Sequence, residues 1–259
     1  MQDLINIFDT HSHYDDPRFD GVREELVASL FDRGISGIIH AAVDFKSSEY
    51  GTAAAKSYEK YYAAVGIHPE NLYDAQGDYI NRLREAALSC KKVVAIGEIG
   101  LDYHYEGYDR EAQIKVFREQ IVLANELSLP IIVHCRDAVG DCMDILRELK
   151  PKGVMHCFSG SEETAKEVIS LGMYIGFTGA LTFKNSKKAQ RVAQYLPIDR
   201  LLLETDCPYM APVPYRGKRC DSSMIQKTAE KIAELKGLSP QEVVDAAREN
   251  TCRLFGVAL

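Results

Sequence analysis

A chain of 259 residues with 46% hydrophobic and 27% charged side chains can bury a substantial core, which excludes disordered and fibrous classes. The formal net charge of -7 excludes a global basic field for nucleic acid, so any DNA contact has to come from a few loops. No apolar run approaches the ~18 residues of a membrane span, and the N-terminus does not read as a signal peptide. The cysteines number seven, an odd count, and form no C-x-x-C pair. That predicts reduced thiols in the cytoplasm rather than a disulfide framework or a Cys₄ zinc site.

Taken in chain order, short β-rich runs alternate with longer amphipathic stretches. The pattern predicts strands over 5–9, 37–43, 61–66 and 93–97, then over 131–134, 153–157, 173–177 and 200–204. Helices are predicted over segments such as 21–33, 109–127, 137–149 and 162–171. In the second of these, Ile114, Phe117, Ile121 and Ala124 recur at spacings of three and four. Asp137 and Ser161 read as N-caps, and Gly172 as a helix terminator. Past the eighth strand, "LSPQEVVDAARENTCRLFG" opens with a capping box, Ser239 to Glu242, has Pro240 at the first helical position, and can stop at Gly256.

Strand–helix alternation with short connections implies parallel strands, because each helix returns the chain to its starting end. Eight such units in about 250 residues predict an α/β fold, a single (β/α)₈ TIM barrel with an extra C-terminal helix, in one domain spanning 1–259. An open doubly wound sheet would want a Gly-rich turn after the first strand, and "DTHSHYDD" has no glycine.

Barrel enzymes carry their chemistry at the C-terminal ends of the strands. There stand His11 and His13, two residues apart and so on one side of a strand. They are followed by His68, Glu98 with Asp102, His134, His156, and Glu204 with Asp206. Five of the seven histidines fall at these ends, a grouping that chance placement seldom gives. The other two, His40 in "GIIHAAV" and His104 in "LDYHYEG", read as an interior and a solvated loop residue. Imidazoles and carboxylates together suit divalent metals. Six donors, His11, His13, Glu98, His134, His156 and Asp206, exceed what one catalytic zinc needs. Shared between two ions, they make sense: His11, His13 and Asp206 on one, His134 and His156 on the other, Glu98 bridging, with a metal-activated water as nucleophile. Asp206 is also placed to take that water's proton. Cys135, Cys157 and Cys207 each follow a candidate by one residue, so period two turns them toward outer helices as inert thiols.

The motifs "DTHSH", "GIHPE", "IGEIGLDY", "IIVHCRDA", "HCFSGS" and "LLLETDCPYMAPVPYRGK" closely resemble the TatD family of metal-dependent deoxyribonucleases, and the similarity runs on to "ENTCRLFG". The resemblance implies a TIM-barrel hydrolase with a divalent-metal site, acting as a 3′–5′ exonuclease or endonuclease on DNA. It implies the same six ligands, with His68 beside them contacting a phosphate or bound water. Two cations per chain (Mg, Mn or Zn) are expected, with single-stranded DNA or 3′ ends as substrate, no membrane and no obligate protein partner. Where the family usually carries Asn-Glu-Pro, this chain has Cys220, Asp221 and Ser222. Arg136 lies just beyond His134 with a long side chain, and Tyr215, Arg216, Lys218 and Arg219 form a basic, aromatic cluster past Asp206; all are expected substrate contacts. The same barrel and metal set also suit a small-molecule ester, amide or phosphoester hydrolase. A metal-binding protein without catalysis would lack the rim carboxylates and basic loop.

Overall fold

The structure, a computed structural model, describes residues 4–258. Its strands are β1 (Ile7–Ser12), β2 (Ile35–Ala41), β3 (Tyr61–Val65), β4 (Val93–Asp102), β5 (Ile131–Arg136), β6 (Gly153–Met155), β7 (Tyr174–Phe177) and β8 (Leu201–Leu203). The helices are α1 (Arg23–Asp32), α2 (Phe45–Ser57), α3 (Tyr79–Leu88), α4 (Arg110–Leu127), α5 (Val139–Leu149), α6 (Glu162–Ser170), α7 (Lys187–Tyr195), α8 (Ile225–Lys236) and α9 (Pro240–Phe255). The eight strands follow one another in sheet order from β1 to β8, and a helix follows each, so the fold is the predicted (β/α)₈ barrel, with α9 as the extra C-terminal helix.

Backbone contacts divide the chain into two compact units. One comprises Met1–His40, Cys157–Ile169 and Tyr174–Leu259, so far as described; the other comprises Ala41–His156 and Ser170–Met173. In the first, β7 pairs in parallel with β8, β1 with β2, and a parallel bridge joins Ser12 to Cys207 just past β8. In the second, β3, β4, β5 and β6 form a continuous parallel ladder. Every residue of β1 and β4 is buried, as expected of strands covered on both faces.

Three strands run further than predicted, β5 to Arg136 rather than to residue 134 and, by more, β1 and β4. β1 ends at Ser12 rather than at residue 9, and β4 at Asp102 rather than at 97. In both, polar residues hid the continuation. They are buried because each finds a partner: Thr10 Oγ1 donates to the Leu203 carbonyl at 3.1 Å and Ser12 Oγ to the Ile39 carbonyl at 3.0 Å. On β4, the α4 residue Gln113 clamps Asp102, receiving its backbone N–H and donating to its carbonyl, both at 2.8 Å.

The capping box at Ser239, Pro240 and Glu242 forms as predicted, and Gly256 ends α9 with a φ of 66°. Ser161 Oγ accepts the Thr164 N–H at 3.2 Å and caps α6; Gly172 turns the chain after it with a φ of 81°. Asp137 does not cap α5. It takes a left-handed φ of 54°, and its carboxylate meets His104 Nδ1 at 2.8 Å, leaving Ala138 at the cap without a side-chain bond.

Candidate metal centre

In the first unit, the segment after β8 is laid along β1 by backbone bonds. The Asp206 N–H donates to the His11 carbonyl at 2.9 Å and the His13 N–H to the Cys207 carbonyl at 2.8 Å. With Asp206 in a left-handed φ of 60°, its carboxylate turns onto the two histidines. His11 Nε2 and His13 Nε2 stand 3.0 Å apart, and Asp206 Oδ1 lies 3.8 and 3.2 Å from them. Three donor atoms thus lie within 4.8 Å of one another.

Beneath them lies a carboxylate that the sequence reading passed over. Asp9 is fully buried, and accepts bonds from His11 N (3.3 Å), Thr205 N (3.0 Å), Thr205 Oγ1 (2.6 Å) and Ser222 Oγ (2.6 Å). Burial drives its pKa up and these donors pull it back, leaving it at about 7. Tyr14 Oη accepts the Ser222 N–H at 3.0 Å and meets Ser222 Oγ at 2.7 Å. Since that Oγ gives its proton to Asp9, the Tyr14 hydroxyl donates to it. Ser222 supplies both a hydroxyl and a backbone N–H here, and a proline at this position could supply neither.

Also in this unit, Glu204 is buried and accepts the Cys157 N–H at 2.6 Å. It fits only because residue 176 is glycine; a Cβ there would collide with the Glu204 carboxylate. Cys157 corrects an expectation. β6 stops at Met155 and Cys157 has a φ of 45°, so period two no longer applies. Instead of facing an outer helix, its Sγ meets Thr178 Oγ1 at 3.4 Å and lies within 4.8 Å of the Asp206 carboxylate. Cys207 is buried beside Tyr14, and burial pushes its thiol pKa well up, as suits an inert thiol. Cys135 does face α5, where the neighbouring Cys142 thiol lowers its pKa. All seven cysteines are free.

In the second unit, Glu98 is the hub. Its Oε1 lies 2.9 Å from His134 Nδ1, 3.5 Å from His156 Nε2 and 3.8 Å from His68 Nε2. Glycine at 100, with a φ of 152°, lets β4 approach β5 here; a Cβ would run into the His134 carbonyl. The far side of the His134 ring is held as well, Nε2 meeting Asp102 Oδ2 at 2.9 Å. Burial disfavours charge on this ring, yet the hydrogen bonds it donates to Asp102 and Glu98 outweigh that and push its pKa up to about 10. The pocket between these carboxylates favours positive charge, and a bound cation would displace the proton.

His68 is disposed differently. Its Nδ1 accepts the Glu70 N–H at 3.2 Å, which puts the ring proton on Nε2, the nitrogen turned toward Glu98. Its ring also lies with Glu98 and His134 in a group of donors within 4.8 Å of one another that could hold an ion. The loop bearing it is fixed by Gln120 of α4, which bonds both the N–H (2.8 Å) and the carbonyl (3.0 Å) of Ile67.

The remaining predicted contacts separate. Arg136 is exposed at the end of β5, its guanidinium 5.2 Å from the Tyr105 ring centre. Arg216 lies over Phe183 at 4.3 Å, and Arg219 over Phe19 at 5.1 Å while donating to the Arg18 carbonyl. Lys218 Nζ is 6.0 Å from the Tyr215 ring. Tyr215 lines a groove with Leu4, Ile5 and Gly34, which precede β1 and β2 and so belong to the strand ends opposite the histidines. His40 is fully buried, and His104 half-exposed, as predicted.

The chain is similar to known proteins along nearly its whole length. The family model described as TatD related DNase matches residues 8–256. The chain is 40% identical over 254 residues to an uncharacterized metal-dependent hydrolase, YabD, of Bacillus subtilis, covering 97% of this chain and 99% of that one. It is 32% identical over 258 residues to the 3′-5′ ssDNA/RNA exonuclease TatD of Cronobacter sakazakii, covering 96% and 97%. The crystal structure of YjjV, a TatD homolog from Escherichia coli K12, superposes with a TM-score of 0.92 at 32% identity, covering 98% and 99%. Matched along nearly its whole length in this way, the chain belongs to the TatD family of metal-dependent hydrolases.

Proposed function

We propose that the chain is a divalent-metal-dependent deoxyribonuclease that hydrolyses phosphodiester bonds of DNA, preferring single strands or 3′ ends. The observation that carries the reading is the donor chemistry: in each unit imidazoles and carboxylates gather at strand ends, His11, His13 and Asp206 in one and Glu98, His134 and His156 in the other. Two ions per chain fit it, one at His11, His13 and Asp206, the other at Glu98, His134 and His156. When bound, such ions supply Lewis acidity toward the phosphoryl group and ease deprotonation of the attacking water.

The chain's own groups do the rest. Asp206 accepts the proton lost by the attacking water. His68 donates from Nε2 to a phosphoryl oxygen, and Arg136 offers a charge-assisted bond to the same phosphate. The name of the Cronobacter relative supports nucleic acid as the substrate class.

The test is metal analysis of purified protein together with digestion of end-labelled single- and double-stranded DNA. Close to two ions per chain, and products shortening from the 3′ end, are expected. Intact DNA alongside cleavage of small esters would replace this reading with a small-molecule hydrolase.

A further inference from the structure

The loop that follows β4, "YHYEGYD" over 103–109, has no part in the mechanism above, yet it borders the Glu98 and His134 group. It is anchored on every side within its own unit. The Tyr103 N–H donates to the Arg136 carbonyl at 2.9 Å, and the Tyr103 hydroxyl to Asp141 at 2.7 Å. Arg110 grips the same Asp141 through two bonds of 2.7 Å. The His104 N–H donates to Asp102 Oδ1 at 2.9 Å, while the other oxygen of that carboxylate holds His134. The ring of Tyr103 is stacked on Tyr108 at 4.6 Å.

Of the loop's two exposed tyrosines, Tyr108 is 43% exposed and stacked on Tyr103, so Tyr105 presents the more open ring. Tyr105 is 56% exposed. Single exposed aromatics are ordinary on protein surfaces; the company of this one is not. The Arg136 guanidinium lies over its ring and donates to its hydroxyl at 3.3 Å. Arg136 is two residues beyond His134 on β5, so the two side chains leave the strand on the same side. Among the described residues Arg136 forms no ion pair with a carboxylate. A guanidinium held by an aromatic ring keeps its donors available to a phosphate.

We propose that Tyr105 is a stacking platform for a nucleobase, and that Arg136 beside it takes the phosphate of that nucleotide. This makes the substrate class base-bearing strands rather than phosphodiesters at large. The inference rests on the nuclease reading for its place in the reaction, but the platform itself is testable without it. Stacking on an aromatic face is tolerant of sequence, so all four bases are accepted.

The experiment compares Tyr105→Ala and Tyr105→Phe with the wild type on a labelled oligonucleotide, on the same strand with abasic sites near its 3′ end, and on a chromogenic phosphodiester. Tyr105→Ala is expected to raise KM on the base-bearing strand by about five- to 150-fold, with Tyr105→Phe close to wild type. Abasic and chromogenic substrates should be cleaved about as well as before. An unchanged KM on the base-bearing strand overturns the proposal, as does an equal loss on all three substrates.

If the wild type cleaves no nucleic acid, the nuclease reading fails and the platform is judged by binding. The chain contains no tryptophan, so Tyr105→Trp introduces a sole indole reporter. Saturable quenching of its fluorescence by deoxyadenosine monophosphate would uphold the platform; unquenched emission would refute it.

Discussion

Replacing Asp102 by asparagine tests the geometry at His134 most directly. The two carboxylate oxygens of Asp102 have separate duties, Oδ2 toward His134 Nε2 and Oδ1 toward the His104 N–H, each at 2.9 Å. Asparagine has one acceptor oxygen and so can serve one of them. The backbone N–H of His104 cannot turn away, so the amide oxygen goes there and an NH₂ group faces the ring. His134 then loses the charged partner that fixes its orientation, while Glu98 still holds Nδ1. Outer partners of metal-binding histidines set affinity by about 10- to 100-fold, which is about 1.4–2.7 kcal/mol. Titration calorimetry with Mn²⁺ or Zn²⁺ should therefore show an affinity lowered by that factor at one of two sites. Asp102 is buried and its bond to His134 favours the charged ring, so the thermal unfolding midpoint of the metal-free protein should fall as well, and affinity is read at a temperature where the variant is folded. Wild-type affinity at both sites would mean that the Asp102 bond does not orient a metal ligand, and would remove His134 from the proposed set.

Glu98→Gln should lose most of one metal equivalent by elemental analysis and most activity, with the fold intact; full occupancy would exclude Glu98 as a ligand. Asp206→Asn should lower kcat by roughly 10²–10⁴ with a smaller effect on metal content, and an almost unchanged kcat would assign the proton to another group. Ser222→Ala removes a hydroxyl bonded to a buried carboxylate and should cost about 1.5–3 kcal/mol in denaturant unfolding. An unmoved midpoint would show that Asp9 does not depend on it.

How much of this was legible in the sequence depended on the kind of signal. Alternating strands and helices, the Ser239 capping box and the strand-end histidines are local patterns, and the fold and donor set followed from them. Non-local contacts decided the rest. β1 and β4 read short because Thr10, Ser12 and Asp102 are polar, and their partners Leu203, Ile39 and Gln113 cannot be identified from periodicity. Asp9 and Ser222 are 213 residues apart, and only the folded chain pairs them. Cys157 was misplaced because a left-handed residue broke the alternation that had been assumed to continue. Asp102 was seen, but its role as a partner of His134 depends on a bond across strands.

The contact between Asp9 and Ser222 also bears on how the protein is made. A ribosome adding about 5–20 residues per second needs about 10–40 s to cover those 213 positions. For most of that interval Asp9 has neither Thr205 nor Ser222, and burying it would strand a charge without its donors. Strand β1 thus has to wait, hydrated, for residues made some two hundred positions later. The histidine pair it carries can be set in place only after β8 and the segment behind it have been translated, so premature metal capture by a chain that lacks them is disfavoured by the order of synthesis itself.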